Sequence, residues 1–252
     1  MIKFFRNVRK QLLGEGKTGK YFKYAVGEIL LVMIGILLAL QVNNWNLQRK
    51  SKLLKENYLA RLISDIEQDT ININNVVSEI EKNQTAIKAL TKSIRSTEDY
   101  TKLDSIITHY FERGWIILEY VATDNTYTDL SQTGNMNIIK NDDLVDDIIE
   151  YYGYAKLVDN FNTLNKNWIT PLDLELAKST SAFEIDPGTS SLFKHKNRID
   201  AIKNIQSHAE LIERNAAGHY WINESLAGNL IALKDVCINL LNTLHKERAS
   251  LD

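Results

Sequence analysis

The chain has 252 residues, 25% of them charged, and a formal net charge of −2 at pH 7. Beyond residues 1–24 it carries 23 Lys and Arg against 31 Asp and Glu, a net charge of −8, which argues against nucleic acid as a partner. A single cysteine, Cys237, excludes an internal disulfide and a cysteine metal cluster.

The first element is a basic amphipathic segment, residues 1–24. Ile2, Phe5, Val8 and Leu12 recur at helical spacing, which predicts a helix lying in the headgroup region of a membrane. The residues expected to contact lipid headgroups are Lys3, Arg6, Arg9, Lys10, Lys17 and Lys20. The stretch "GEGKTGK" imitates a phosphate-binding loop, but Gln11 stands where the first glycine is required, and no strand precedes it.

The second element is a predicted transmembrane helix, residues 25–45. From Ala25 to Val42 the only charged residue is Glu28. About 20 apolar residues span a bilayer core, and aromatic residues such as Trp45 belong at its boundaries. A buried core helix is the alternative, which the length of the run and the basic leader disfavour.

Orientation and processing follow from the flanks of this helix. Seven Lys and Arg precede it and five follow within residues 43–61, which favours a cytoplasmic N-terminus. The end of the run lacks a small-x-small cleavage pattern, so we expect an uncleaved signal anchor.

One face of the predicted span carries small and polar residues. Near 100° per residue, five side chains fall within about 40° of one line. Because small residues allow close approach and an intramembrane carboxylate faces protein or water, this face is predicted to pack against another helix. The alternative is a Glu28 that reaches the headgroups beside small residues placed by chance. The face comprises Glu28, Val32, Gly35, Ala39 and Asn46.

Two stretches carry a resemblance to a known family. "MIKFFRNVRKQLLGEGKTGKYFKYAVGEILLVMIGILLALQVNNWN" and, more loosely, "LSQTGNMNIIKNDDLVDDIIEYY" resemble a family of uncharacterised single-pass inner-membrane proteins of Bacteroidota. The resemblance implies an inner-membrane protein with a helical domain outside the cytoplasm. It implies no activity.

The rest of the chain, residues 46–252, is predicted to be an all-α extracytoplasmic bundle. We expect helices near 47–97, 102–122, 141–168, 197–216 and 219–247, with a short one near 126–133 stopped by Gly134. Pro171 and Pro187 predict one long loop at about 170–196. The stretch "GWIILEYVAT" is rich enough in β-formers to leave a strand open there.

The transmembrane helix is predicted to continue into the first long helix of this domain, 47–97. This helix carries a heptad repeat over five heptads, with Asp69 and Asn83 as polar exceptions. Such a seam forms inside a bundle or between chains, and its spacing does not choose. Its apolar members are Leu59, Leu62, Ile66, Ile73, Val76, Ile80, Ile87, Leu90 and Ile94.

Signals for chemistry are weak. Asp142, Asp146 and Glu150 share a helix face that suits a hard cation or, more simply, a solvated helix start. Tyr151, Tyr152, Tyr154, Phe161 and Trp168 read as core and interface aromatics, or as the lining of a ligand cavity.

The sequence therefore predicts no catalytic, metal or cofactor residues. It favours a membrane-anchored interaction or scaffold protein that acts through helix contacts with itself or a membrane partner. The alternative is a sensor-like ligand-binding bundle that signals through another protein.

Overall fold

The computed structural model describes residues 18–251, without the side chains of Thr18, Lys20, Tyr21 and Tyr24. Within this range the chain is all-α and contains no strand. It divides into two units, Met1–Glu56 and Asn57–Asp252. The predicted amphipathic helix and its headgroup residues Lys3, Arg6, Arg9, Lys10 and Lys17 lie outside the described residues, as does the side chain of Lys20.

The first helix, α1, runs from Thr18 to Ser93, 76 residues without a break. Its N-terminal part contains an 18-residue window with a mean hydropathy of 2.4 and no buried residue. Among the described residues, this is the one helix long and apolar enough to cross a membrane.

The second unit adds six helices to the later part of α1. The elements after α1 are α2 (Tyr100–His109), a π-helical turn (Tyr110–Gly114), α3 (Asn125–Gln132), a 3-10 turn (Asn135–Ile138), α4 (Asp142–Ser179), α5 (Ala182–Ile185), a 3-10 turn (Ser190–Phe193), α6 (Arg198–Ser207) and α7 (Ala209–Ala249). Asp99 caps α2 and Asn141 caps α4, each by accepting backbone N–H bonds of the first turn.

Three long helices form the bundle of the second unit. α7 runs antiparallel to α1, because Lys234 bonds Asn74 at one end and Arg95 bonds Glu213 at the other. α7 is also antiparallel to α4, since Asn141 bonds Glu247 while His219 contacts Asp173. α1 and α4 are therefore parallel.

The heptad seam of α1 is filled by the chain's own helices. Eight of its nine apolar members are buried, and Val76 is partly buried. The part from Leu59 to Ile80 packs into a core with the non-helical residues 118–122, α3, α4 and α7. Ile87, Leu90 and Ile94 pack with α2, α5, α6 and the start of α7. The seam is thus an intrachain one in this structure.

The predicted helix at 102–122 is wrong in its second half. α2 ends at His109, and after the π-turn residues 116–124 are not helical. A Cβ on Gly114 would lie 2.5 Å from the Tyr110 ring and 2.9 Å from Ile87, so the turn needs glycine for this close approach. The segment's β-branched residues and its contacts with α1 and α4 then favour an extended backbone over a helix.

The predicted loop at 170–196 begins later than expected. α4 continues through Pro171 to Ser179, because Ile169 and Leu176 on either side of the proline are fully buried. The hydroxyl of Thr170 bonds the Lys166 carbonyl at 2.7 Å beside the interrupted turn. The region after Ser179 holds only short helical turns before α6.

The break predicted near 217–218 lies instead at His208, between α6 and α7. Gly218 is inside α7, where a Cβ would lie 2.4 Å from Ile169 Cδ1. The glycine permits close packing of α7 on α4 rather than ending a helix.

Candidate functional site

The non-helical residues 116–123, here called the extended segment, run antiparallel to α4. Trp115 bonds Asp173, Asn162 bonds the Leu118 carbonyl, and Tyr152 bonds the Thr123 carbonyl. From residue 173 back to residue 152, α4 rises ~31 Å. Eight residues span that length only when nearly fully stretched, at about 28 Å plus side-chain reach.

Side chains alternate along the extended segment as they do in a strand. Leu118 and Ala122 pack on the core and Tyr120 is buried within it, whereas Glu119 and Val121 are exposed. Val121 is 70% exposed. The segment has the pattern of a half-buried strand without a neighbouring strand.

Asp69 of α1 holds the end of the extended segment. Its buried carboxylate accepts bonds from the Thr123 backbone N–H at 2.9 Å, the Thr123 hydroxyl at 2.8 Å and the Tyr151 hydroxyl at 2.5 Å. Buried charges are stabilised by such multiple bonds. The polar heptad position therefore positions the segment against α4.

A groove lies between the extended segment and α4. It holds a cavity of about 390 Å³ and a second of about 290 Å³, which share Val121 and Asp159 as lining residues. Tyr127 and Tyr152 stack at 4.3 Å between ring centroids and line the first cavity. Gly153 opens its wall, because a Cβ there would meet nothing within 4 Å.

The groove carries more negatively than positively charged side chains. Lys156 pairs with Asp159 at 2.7 Å, and Lys166 pairs with Glu119. Asp124 lines the first cavity and makes no ion pair within 4 Å in the described part of the chain. Its charge adds to the hydrogen bond and charge of Asp159 in raising the pKa of Lys156. Together the five charged residues leave one negative charge, at Asp124.

Asp124 stands at the N-cap position of α3, but its side chain does not cap that helix. It is the N-cap residue of α3, where aspartate is a preferred cap, yet its side chain makes no capping bond. Asp65 of α1 replaces it by accepting the Thr126 backbone N–H at 3.3 Å. The carboxylate of Asp124 is consequently available to the cavity.

Burial keeps the tyrosines of this region protonated. Desolvation raises the pKa of Tyr151, Tyr152 and Tyr120 above the ordinary tyrosine value, and the nearby Asp69 carboxylate adds to each shift. Burial also raises the pKa of the Cys237 thiol to about 11. These groups therefore act as hydrogen-bond donors and packing groups rather than as nucleophiles at neutral pH.

A second surface feature is an apolar stripe on a different face of α4. Leu157, Phe161, Leu164 and Trp168, here called the α4 stripe, are each between 52% and 62% exposed. Their spacing of four, three and four places them within a ~60° arc. Trp221 of α7 extends the stripe, with its ring 5.3 Å from that of Trp168 in an edge-on contact.

A third feature is a polar cluster between α4 and α7. Asp173 Oδ1 accepts bonds from Trp115 and Asn215 and contacts His219 Nε2, at 2.7 to 2.8 Å. Asn215 in turn accepts the Tyr110 hydroxyl at 2.6 Å. His219 and Asn215 are fully buried, so the cluster joins the π-turn, α4 and α7 rather than facing a ligand.

The residues proposed from the sequence are distributed unevenly over these features. The span face lies on α1 within the first unit and comprises Glu28, Val32, Gly35, Ala39 and Asn46. Tyr152 lines the cavity, as one reading of the aromatic set expected, while Phe161 and Trp168 are surface residues. Among residues 18–251, no group of three or more His, Cys, Asp or Glu is arranged to hold a metal.

Sequence reasoning missed the groove charges Asp124, Lys156 and Asp159, and Gly153 beside them. It also missed the α4 stripe, although its spacing is legible in "LVDNFNTLNKNW". The signal for the groove was the β-rich "GWIILEYVAT" inside a helical chain.

Over residues 18–251 the protein is all-α and has one helix able to span a membrane by length and composition. The chain matches the model of a family of unknown function, DUF6090, over residues 28–170, more than half of its length, and belongs to that family. The matched range contains both cavities of the groove and the α4 stripe. No curated protein matches the chain, and no solved structure does either.

Proposed function

We propose that this protein is a single-pass, membrane-anchored interaction protein whose helical unit associates with a second copy through the α4 stripe. The single observation that carries the proposal is the exposure of four large apolar side chains at heptad spacing. The role is one of assembly rather than catalysis.

The anchor is supported by the apolar part of α1. From Ile29 to Val42 its large side chains are more than half exposed within the chain, whereas a core helix would be covered. A bilayer supplies the apolar surroundings that the protein itself does not. The surplus of basic residues before the span supports a cytoplasmic N-terminus and a C-terminal unit on the far side of a bacterial inner membrane.

A second copy is the partner that best fits the stripe. Its flanks carry Asn160 and Asn167 on one side and Asn165 on the other, so two copies meet without like charges beside the apolar contact. The first charged residues on this face, Glu150 and Glu175, stand two turns beyond its ends. Two copies anchored in one membrane also present the stripe at the same height, which raises the effective concentration for association.

Disulfide crosslinking of the full chain in native membranes tests the self-association. We expect Leu164→Cys to give a covalent dimer on mild oxidation. Ile71→Cys, 54% exposed on α1 but outside the stripe, is the matched control and should stay monomeric. Adding Phe161→Glu should abolish the Leu164→Cys dimer. A dimer that persists with Phe161→Glu, or none at all, would contradict the proposal.

The orientation has its own test. A reporter active only outside the cytoplasm, fused to the C-terminus, should be active in cells. A silent reporter on well-expressed protein would reverse the proposed topology.

The predicted packing face of the span offers a further contact of the same kind. Because a Cβ on Gly35 meets nothing within 4 Å in the chain, Gly35→Leu cannot strain the helix itself. If the face packs on another helix, Gly35→Leu should weaken association in a transmembrane self-association assay, and Leu37→Ala should not. Equal association of the two variants would indicate that the span acts only as an anchor.

A ligand-binding role is the second candidate, and the cavity of about 390 Å³ favours it. Stacked Tyr127 and Tyr152, with Asp124 at the same cavity, combine an apolar wall with a charged group. That combination is typical of a recognition site.

A further inference from the structure

We propose that the groove beside the extended segment binds an extended polypeptide, which adds backbone hydrogen bonds to residues 117–122 and places a basic side chain at Asp124. The inference goes beyond self-association through the α4 stripe and does not depend on it, because the groove lies on another face of α4.

The backbone of the extended segment is the first argument. In the described part of the chain, the N–H groups of residues 117–122 have no hydrogen-bond partner, and of their carbonyls only that of Leu118 has one. Backbone N–H and C=O groups are strong donors and acceptors, and most are paired in native proteins. An unpaired strand-like edge is the surface to which an extended peptide adds.

The segment is also held ready for such pairing. Arg113 bonds Glu79 at 2.6 Å before it, and Asp69 holds Thr123 at its end. Tyr120 fixes its middle in the core. Because these contacts fix the extended conformation beforehand, a peptide binds without the entropy cost of ordering this edge.

The cavities are the second argument. Both open along the same edge, between the segment and α4, and share Val121. In a bound strand, side chains on one face recur every second residue. Consecutive side chains of that face would occupy the two cavities, with an apolar one against Tyr127, Tyr152 and Ile149.

Charge is the third argument. Asp124 has no ion pair in the described chain, and Asp65 performs its capping task. A lysine or arginine of the peptide would pair with this carboxylate and cancel the groove's one net negative charge. The chemistry therefore selects an extended, apolar-alternating peptide with one basic residue over a compact small molecule.

Binding to the full chain in lipid nanodiscs tests the proposal. The probe is a fluorescent decapeptide of alternating Val and Thr with one central Lys. Its ester-backbone analogue, which lacks alternate N–H donors, should bind about tenfold more weakly. Its norleucine analogue should lose several-fold in affinity for the native chain but not for Asp124→Asn.

Matched glycine variants locate the site. Gly153→Trp fills the first cavity and should weaken binding of the lysine peptide at least about tenfold. Gly228→Trp, at an equally open helical glycine of α7, should change it less than twofold. Repeating the titration in Phe161→Glu, which targets only the stripe, should leave peptide affinity unchanged.

Each contrary result overturns the proposal. Equal binding of the ester analogue would exclude backbone pairing, and equal binding by Gly153→Trp would exclude the groove. Failure of any peptide to bind below millimolar concentration would do the same. Loss of binding only in Phe161→Glu would assign recognition to the dimer instead.

Discussion

The heptad seam of α1 and the α4 stripe share one spacing and differ in what covers them. Ile73 and Ile80 in the seam are buried against the chain's own helices, whereas Leu164 and Phe161 in the stripe face outward. From the sequence, the longer repeat was the predicted helix-contact surface, either within the chain or between chains. The structure shows that the longer repeat builds the bundle, whereas the shorter one is exposed.

The largest effect should come from a charge in the seam. Ile73→Asp buries an unpaired carboxylate and loses apolar packing, so we expect the free energy of unfolding to fall by more than ~3 kcal/mol. Ile71→Asp, two residues away and exposed, should change it by less than ~0.5 kcal/mol. Denaturant unfolding of the full chain in detergent micelles measures both, and equal stabilities would place the seam at the surface.

The polar seam position Asp69 sharpens the comparison. Asp69→Ala leaves the Tyr151 hydroxyl and the Thr123 N–H unpaired, at a cost of about 2–3 kcal/mol. Gln68→Ala, which removes only an exposed bond to Asn72, is the control. Hydrogen exchange of the Thr123 amide, whose N–H bonds Asp69, should speed up in Asp69→Ala alone. Unchanged exchange would mean that other contacts hold the segment.

High pH should lower the free energy of unfolding through the buried Cys237 thiol. The Cys237 thiol has a pKa near 9.0 when unfolded and about 11 when folded, so the unfolded state loses its proton first. The thiol's contribution to stability is therefore complete below pH 9 and is lost as the pH rises through 11, a loss of at most about 3 kcal/mol. The buried tyrosines act in the same direction. Cys237→Ala should show a shallower fall over this range, and parallel pH curves would contradict the assignment.

The smallest effect on stability should come from the stripe. Leu164→Asp replaces an exposed side chain, so the free energy of unfolding should change by less than ~0.5 kcal/mol. Self-association should be lost. Denaturant unfolding and crosslinking of the same preparation separate these two quantities. A large loss of stability would show that the stripe packs inside the chain after all.

The all-α class and the apolar helix were predictable because both depend on composition and local periodicity. The continuation of the apolar helix into the heptad helix was predictable for the same reason. The bonds of Asp69 to Thr123 and the continuation of α4 through Pro171 were not, because each depends on partners distant in sequence. Local propensity predicted a loop at Pro171. The helix continues there instead, because Ile169 and Leu176 on either side of the proline are buried.

The groove was less predictable than the fold. The β-rich "GWIILEYVAT" signalled an exception to helix, but its contacts with Asp69, Asn162 and Tyr152 join residues up to 54 positions apart. Spacing along a helix cannot identify such a site. The predicted span face was set by local spacing and remains a prediction.

Because Asp65, and not Asp124, makes the capping bond of α3, position 124 can be substituted without loss of that bond. Asp65 bonds a backbone N–H at the start of α3 and Asp124 lines the cavity, so the two tasks do not depend on the same side chain. A change at position 124 would alter the charge of the cavity while the helix still begins at Asn125. The charge of this cavity can therefore change by a single substitution, without a compensating change in the capping bond that starts the helix.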